Sequence, residues 1–329
     1  MSTIVNGNGR FLVVALMIIV GANNAHAQTA AAYPSRAIRI VVPFTPGGPN
    51  DILARTVGQK LSEVWGRQVI VENRPGGGTV IATELVANAV PDGHTLLVVS
   101  TSHAVNPSLM KKLPFDVVRD FAPVVRMAAS PNVLVVHPSL PVRNVRDLVA
   151  LAKAKPGQII YGSGGIGSAT HLSGELLCSL AGVKMTHVPY GGAGPVTIDL
   201  LRGEVQWMFG TIMPTLPQIK AGKLRAIAVS GTAPAPTLPD VPPVAGTLAG
   251  FDATSWYGIF APGKTPRDVI VKLNAEIVRA LGTREMRERL AQDGSVPVGD
   301  TPDAFSAFFQ GEVAKWAKVI RDAGLKSEL

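Results

Sequence analysis

Short runs of β-branched and aliphatic residues recur along the chain, each followed by a segment whose apolar residues return every third or fourth position. AIRIVVPF then ILARTVGQKLSEVWG, and QVIVEN then TVIATELVANAV, set the rhythm of strand, Gly- or Pro-rich turn and amphipathic helix. Gly66 ends the first helix and Pro91 stops the second, while HTLLVVST predicts a third strand that runs into SHAVNPSL. Around Pro131 the rhythm restarts with strand NVLVVHP, helix VRDLVALAKAKPG, strand QIIYG and helix SATHLSGELLCSLAG. MTHVPY, GAGPVTIDLLRGE and VQWMFG repeat it, and LRAIAVSG adds a strand. TAPAPTLPDVPPVAG cannot be a helix or the interior of a central strand, because proline lacks the amide donor. Beyond it, TSWYGIFAP predicts a strand, and helices follow in TPRDVIVKLNAEIVRALG and TPDAFSAFFQGEVAKWAKVIRDAG. Alternation of this kind defines an α/β chain with largely parallel sheets.

The N-terminus departs from the rhythm. Arg10 precedes FLVVALMIIVGA, and Ala25-His26-Ala27 then fits the small-x-small rule of a signal peptidase site. The apolar run falls short of the roughly 20 residues that span a bilayer. Residues 1–27 are therefore expected to be a signal peptide cleaved after Ala27, with the mature chain exported. Its one cysteine, Cys178, can form no intramolecular disulfide, and LLCSLAG predicts a buried helical position for it. Loss of Arg10 leaves 30 basic against 23 acidic residues, a formal charge of +7 with no Lys/Arg run. A mildly basic surface attracts anions weakly. Without a basic stripe, and outside the cytoplasm, nucleic acid is not expected as a partner.

Two strand-to-helix turns stand out, PFTPGGPND in the first unit and GSGGIGSATH in the second. Each clears side chains from a helix start, where unpaired amides and the positive end of the helix dipole can meet an anion. Gly162, Gly164 and Gly167 have the spacing of a dinucleotide fingerprint, but the next strand, MTHVPY, lacks the terminal carboxylate that would bind a ribose. Ser163 lies in YGSGG, not in a G-x-S-x-G elbow. His171 sits on the same helix as the turn, placed to pack or hydrogen-bond near the loop. The histidines show no H-x-x-x-H or Cys/His cluster, so neither a metal nor a cofactor is expected. What remains is hydroxyls that orient an anion: Thr45, Thr101, Ser102, Ser163, Ser168 and Thr170. Asp199 either faces solvent from its helix or reaches the ligand cleft.

The order YPSRAIRIVVPFTPGGPND, VIVENRPGGG, DGHTLLVVSTSHAVNPSL, YGSGGIGSATHLSGELL, VPYGGAGPVTIDLLRGEVQWMF and LPDVPPVAG resembles the extracytoplasmic solute receptors of the tripartite tricarboxylate transporter type, the Bug family. The resemblance spans the predicted mature chain. It implies a two-domain Venus-flytrap fold, with mixed, mostly parallel sheets, helices on both faces and two crossings between domains. Residues 28–130 with 253–329 would form one domain and 131–252 the other. The hinge would include the crossings near Ser130–Pro131 and Gly250–Thr254. The resemblance places a ligand carboxylate between Phe44, Thr45, Pro46, Gly47 and Gly48 on one side and Ser163, Gly164, Ser168, Ala169 and Thr170 on the other. Thr101, Ser102 and Asp199 match further cleft positions. The implied ligand is a small organic acid: citrate, a C4–C6 dicarboxylate, an acidic amino acid or an aromatic acid. The implied setting is the periplasm, as a monomer delivering ligand to a membrane permease of the tripartite tricarboxylate type. VPYGG lacks the Lys or Arg that commonly follows the Tyr, and MFGT lacks the usual acidic or small polar residue after the Phe. A sensor for a signalling partner and an exported enzyme are the alternatives.

Overall fold

The first strand, β1 (Ile38–Val42), reads IRIVV and buries four of its five residues, as expected of a strand covered on both faces. In the computed structural model, residues 33–292 and 294–325 are described; the proposed signal peptide and its cleavage site lie outside them. β1 belongs to a six-stranded sheet of order β11-β4-β10-β3-β1-β2. Its members are β2 (Val69–Asn73), β3 (Thr95–Ser100), β4 (Phe121–Ser130), β10 (Ser255–Pro262) and β11 (Val296–Pro297). A second sheet has the order β7-β6-β8-β5-β9, built from β5 (Asn132–Val136), β6 (Ile160–Ser163), β7 (Thr186–Pro189), β8 (Trp207–Thr211) and β9 (Arg225–Val229).

Strand direction follows from where the chain crosses between sheets. β1 pairs in parallel with β2 and β3, and β6 with β7 and β8. β4 ends at Ser130 and β5 begins at Asn132, so β5 leaves the crossing edge while its neighbours β8 and β9 run toward it. It is accordingly antiparallel to both, with Asn132 opposite Thr211. The return crossing does the same in the first sheet: β10 starts opposite Ser130 and runs antiparallel to β3 and β4. The predominantly parallel pattern is thus broken where a strand arrives from the other sheet.

The helices are α1 (Pro49–Trp65), α2 (Val80–Ala87), α3 (Ser102–Leu109), α4 (Val145–Ala154), α5 (Ala169–Ala181), α6 (Ala193–Arg202), α7 (Ile212–Lys220), α8 (Arg267–Leu281), α9 (Arg284–Gln292) and α10 (Pro302–Asp322). Gly66 caps α1 in the left-handed region, φ 61°, its amide donating to the Ser62 carbonyl. α3, α7, α9 and strands β4 and β11 were not readable as elements. Pro107 inside α3 and Pro217 inside α7 argue against helices, and Pro123 interrupts the apolar run of β4.

α10 ties the two sheets together. Its Phe305, Phe309 and Trp316 join one buried cluster with Val41, Leu97 and Trp256 from the first sheet and Leu134, Tyr161 and Trp207 from the second. Glu312 sits in this apolar setting only 5% exposed, and its Oε2 accepts from both the Trp256 and Trp316 indole N–H groups at 2.9 Å. Lys315 completes its ion pair. Cys178 is buried on α5, and burial pushes its thiol up to about 12, which suits an inert packing role.

Candidate functional site

Between the sheets lies a cavity of about 340 Å³, lined where helices begin. After β1, Phe44 lines it together with Pro49 and Asn50 of α1; after β3, Ser100, Thr101 and Ser102 lead into α3. From the second sheet come Gly167, Ser168, Ala169 and Thr170 at the start of α5, and Thr211 at the start of α7. α1, α3 and α7 begin without a side-chain cap, so no capping side chain occupies their terminal amides. On α5, Ser168 caps the His171 amide and leaves those of Ala169 and Thr170 at the cavity. None of the lining residues is charged. An anion entering here meets dipoles and hydroxyls, each helix start favouring negative charge by about 0.3–1 kcal/mol when exposed and more when enclosed.

The second loop is self-bracing. The Gly164 amide donates to Thr170 Oγ1 at 3.0 Å, and Thr170 Oγ1 lies 3.0 Å from Ser168 Oγ. Ser163 does not line the cavity. It is fully buried, its Oγ 2.7 Å from His187 Nε2 and accepting the Gly165 amide at 3.1 Å. That contact has the geometry of a nucleophile and its base, but substrate has no access to a hydroxyl turned into the loop's own backbone. Gly164 likewise supports the loop from behind.

In the first loop only Phe44 reaches the cavity wall; Thr45, Pro46 and Gly47 are exposed and, with Gly48, stay off the lining. Asp51 holds this loop. It accepts the Gly47 amide at 2.9 Å and Asn73 Nδ2 at 2.9 Å, and Asn73 also donates to the Phe44 carbonyl at 3.0 Å. Burial pushes the Asp51 carboxyl up, but hydrogen bonds from Arg55, Gly47 and Asn73 outweigh it and keep the group below its ordinary range. Asp199 sits away from the cavity, accepting from Tyr190 OH at 2.9 Å and lying 3.6 Å from Arg202.

Several lining residues had no signal in the turn motifs. Asn132 and Ser255 are the first residues of the two crossing strands, and Asn132 Nδ2 lies 3.5 Å from Ser255 Oγ. Asn50, inside the PFTPGGPND turn though not among the expected site residues, is 7% exposed, with its Oδ1 unpartnered. Tyr257, Val105 and Leu172 supply apolar surface. Position at the sheet-crossing edge would have marked Asn132 and Ser255, but that edge is visible only once the topology is known.

A two-sheet α/β fold with two crossings and an uncharged, helix-lined cavity between the sheets defines the class of periplasmic solute-binding proteins. Residues 53–325 match the tripartite tricarboxylate transporter family receptor, and the chain belongs to that family. Protein BugT of Bordetella pertussis (strain Tohama I) is 37% identical over 320 residues, 96% of this chain and 98% of BugT. The structure of R. palustris Rpa4515 with adipate superposes with a TM-score of 0.73 at 35% identity, covering 89% of this chain and 99% of that one. MatC (Rpa3494) from Rhodopseudomonas palustris with bound malate gives 0.69 at 32% identity, covering 88% and 100%. No helix among the described residues is long and apolar enough to cross a membrane.

Proposed function

We propose that the protein is a periplasmic receptor that captures a small organic carboxylate between two domains, without chemistry, and hands it to a membrane permease of the tripartite tricarboxylate type. The observation that carries this reading is the convergence of helix starts from both sheets on one cavity with no charged side chain in its wall. Fixed dipoles and hydroxyls bind an anion reversibly, because no counter-charge has to be stripped away on release. Adipate in Rpa4515 and malate in MatC are ligands of the same acid class. The two domains of this reading are residues 28–130 with 253–329, and 131–252; the grouping of β1–β4, β10 and β11 in one sheet and β5–β9 in the other supports the division. Closure about the crossings excludes water from the carboxylate, and the closed form docks on a permease driven by an ion gradient. Thr45, Pro46, Gly47 and Gly48, exposed or off the wall, meet the ligand on closure or through ordered water.

A thermal-shift screen against adipate, malate, citrate, acidic amino acids, aromatic acids and NADH tests the reading. An acid at 100 times its Kd stabilises the fold by about 2.7 kcal/mol. Stabilisation by NADH and by none of the acids would overturn it.

A further inference from the structure

Beneath the second loop lies a cluster that the cavity does not touch: buried His171, Tyr161 and Ser163 with half-buried His187 and Glu175. His171, on α5, is 1% exposed. Its Nδ1 accepts the amide of Gly167 at 3.0 Å. An amide can only donate, so Nδ1 carries no proton, and the ring's proton resides on Nε2. Nε2 lies 3.6 Å from Glu175 Oε1, beyond hydrogen-bond distance, and that same oxygen accepts the Tyr161 hydroxyl. His187 stacks on the other face of His171 at 3.9 Å and 13° and holds Ser163, which in turn accepts the Gly165 amide. Burial pushes the His187 imidazole down to about 4, so this ring of the stack is neutral at neutral pH.

Gly167 is the residue through which this cluster reaches the ligand site. It lines the cavity, and its left-handed φ of 74° leaves its amide pointing back at His171. It also meets the opposite side of the cleft: a Cβ at this position would lie 2.6 Å from Leu109 Cδ1 at the end of α3, which packs with the first sheet. A shift of Gly167 therefore alters the cavity wall and the contact between the two sides together.

We propose that His171, as its Nε2–H tautomer, is a positioning residue for ligand capture: its bare Nδ1 fixes the Gly167 amide and thereby sets the loop that receives the carboxylate. This rests on the receptor reading for its ligand arm only. Two variants separate tautomer from bulk. In His171→Asn the side-chain oxygen falls near the position of Nδ1, whereas His171→Gln extends toward that of Nε2 and leaves the Gly167 amide without an acceptor.

In the ligand-free protein, nitrogen NMR should show His171 Nδ1 unprotonated and Nε2 protonated. The Gly167 amide should exchange slowly in wild type and in His171→Asn, and faster by about tenfold or more in His171→Gln. With adipate as probe in calorimetry, His171→Asn should bind within about threefold of wild type and His171→Gln about tenfold or more weakly, at similar ligand-free melting points. A proton on Nδ1, or equal Gly167 exchange in the two variants, would overturn the proposal. So would equal adipate affinity of both variants. If wild type binds no acid at all, the receptor reading fails, and the NMR and exchange measurements still decide the role of His171.

Discussion

Thr170→Val isolates the hydroxyl at the mouth of α5 from everything else Thr170 does. Valine keeps the β-branch and nearly the same shape, so the backbone of the helix start is undisturbed, and the change removes Oγ1 alone. Oγ1 accepts the Gly164 amide at 3.0 Å and lies 3.0 Å from Ser168 Oγ. A neutral hydrogen bond lost with water free to replace it costs about 0.5–1.5 kcal/mol, whereas a donor left dry costs about 1–3 kcal/mol. Gly164 is half-buried, so water can partly replace the hydroxyl there. Ligand capture dries the loop, and the larger penalty then falls on the bound state. The difference of about 1–2 kcal/mol corresponds to roughly a 5- to 30-fold rise in Kd. Titration calorimetry with the acid found by thermal shift measures the loss, and ligand-free melting should move by only a few degrees. Thr170→Ser retains the oxygen and should stay within about threefold of wild type. Wild-type affinity in Thr170→Val would refute the reasoning, as would a ligand-free destabilisation as large as the loss of binding.

Other consequences concern the supports around the site. Gly174→Ala should lower the melting point despite alanine's higher helix propensity, because the new Cβ would meet Tyr161 Cε2 at 2.4 Å. That ring is pinned by stacking on Trp207 at 4.7 Å, so overpacking of about 1–3 kcal/mol is expected, and an unchanged or raised melting point would contradict it. Glu312→Leu orphans two buried indole N–H groups and should cost about 2–4 kcal/mol in urea unfolding, with Glu312→Gln intermediate because one acceptor remains. Burial among Phe121, Phe260 and Phe309 pushes the His103 imidazole down to about 3. Between that value and the ordinary 6.5 the unfolded chain binds a proton that the folded one refuses, so stability rises with pH across this window by up to about 1.4 kcal/mol per unit. His103→Phe should flatten the slope measured by urea midpoints from pH 4 to 7, and an equal slope in both proteins would exclude His103 as its source.

The elements that the hydrophobic pattern announced are those whose periodicity is unbroken. IRIVV, NVLVV and the amphipathic ILARTVGQKLSEVW became β1, β5 and the body of α1 because burial on one or both faces is written directly into residue order. α7 and β4 failed that reading for one reason. IMPTLPQIK places Pro217 where a helix should donate, and FAPVVRMAAS places Pro123 within its apolar run, yet packing on β8 and pairing with β10 override the local penalty. The resemblance to the receptor family implied what periodicity could not, that the two units would share one ligand.

Within the site, the legible residues were those a turn motif can mark: Phe44, Thr101, Ser102, Ser168, Ala169 and Thr170 line the cavity at helix starts. Ser163 and Gly164, in the same motif, serve as its brace. A motif specifies which backbone turns, not which side of the turn faces the cleft. Asn132 and Ser255 were invisible for a deeper reason, since nothing local distinguishes the first residue of a crossing strand from that of any other strand. The topology places them in the cavity wall and laces them into the crossings: the Asn132 amide donates to Ser230 Oγ and the Asn132 carbonyl accepts the Ser230 amide, and Ser230 in turn bonds Ala253, two residues before Ser255. In the proposed closure, a ligand group that contacts Asn132 would touch the segment about which the two sides rotate. Binding energy and closure would then be coupled at that residue by connectivity itself, because the strands that carry the chain between the sheets also line the cavity.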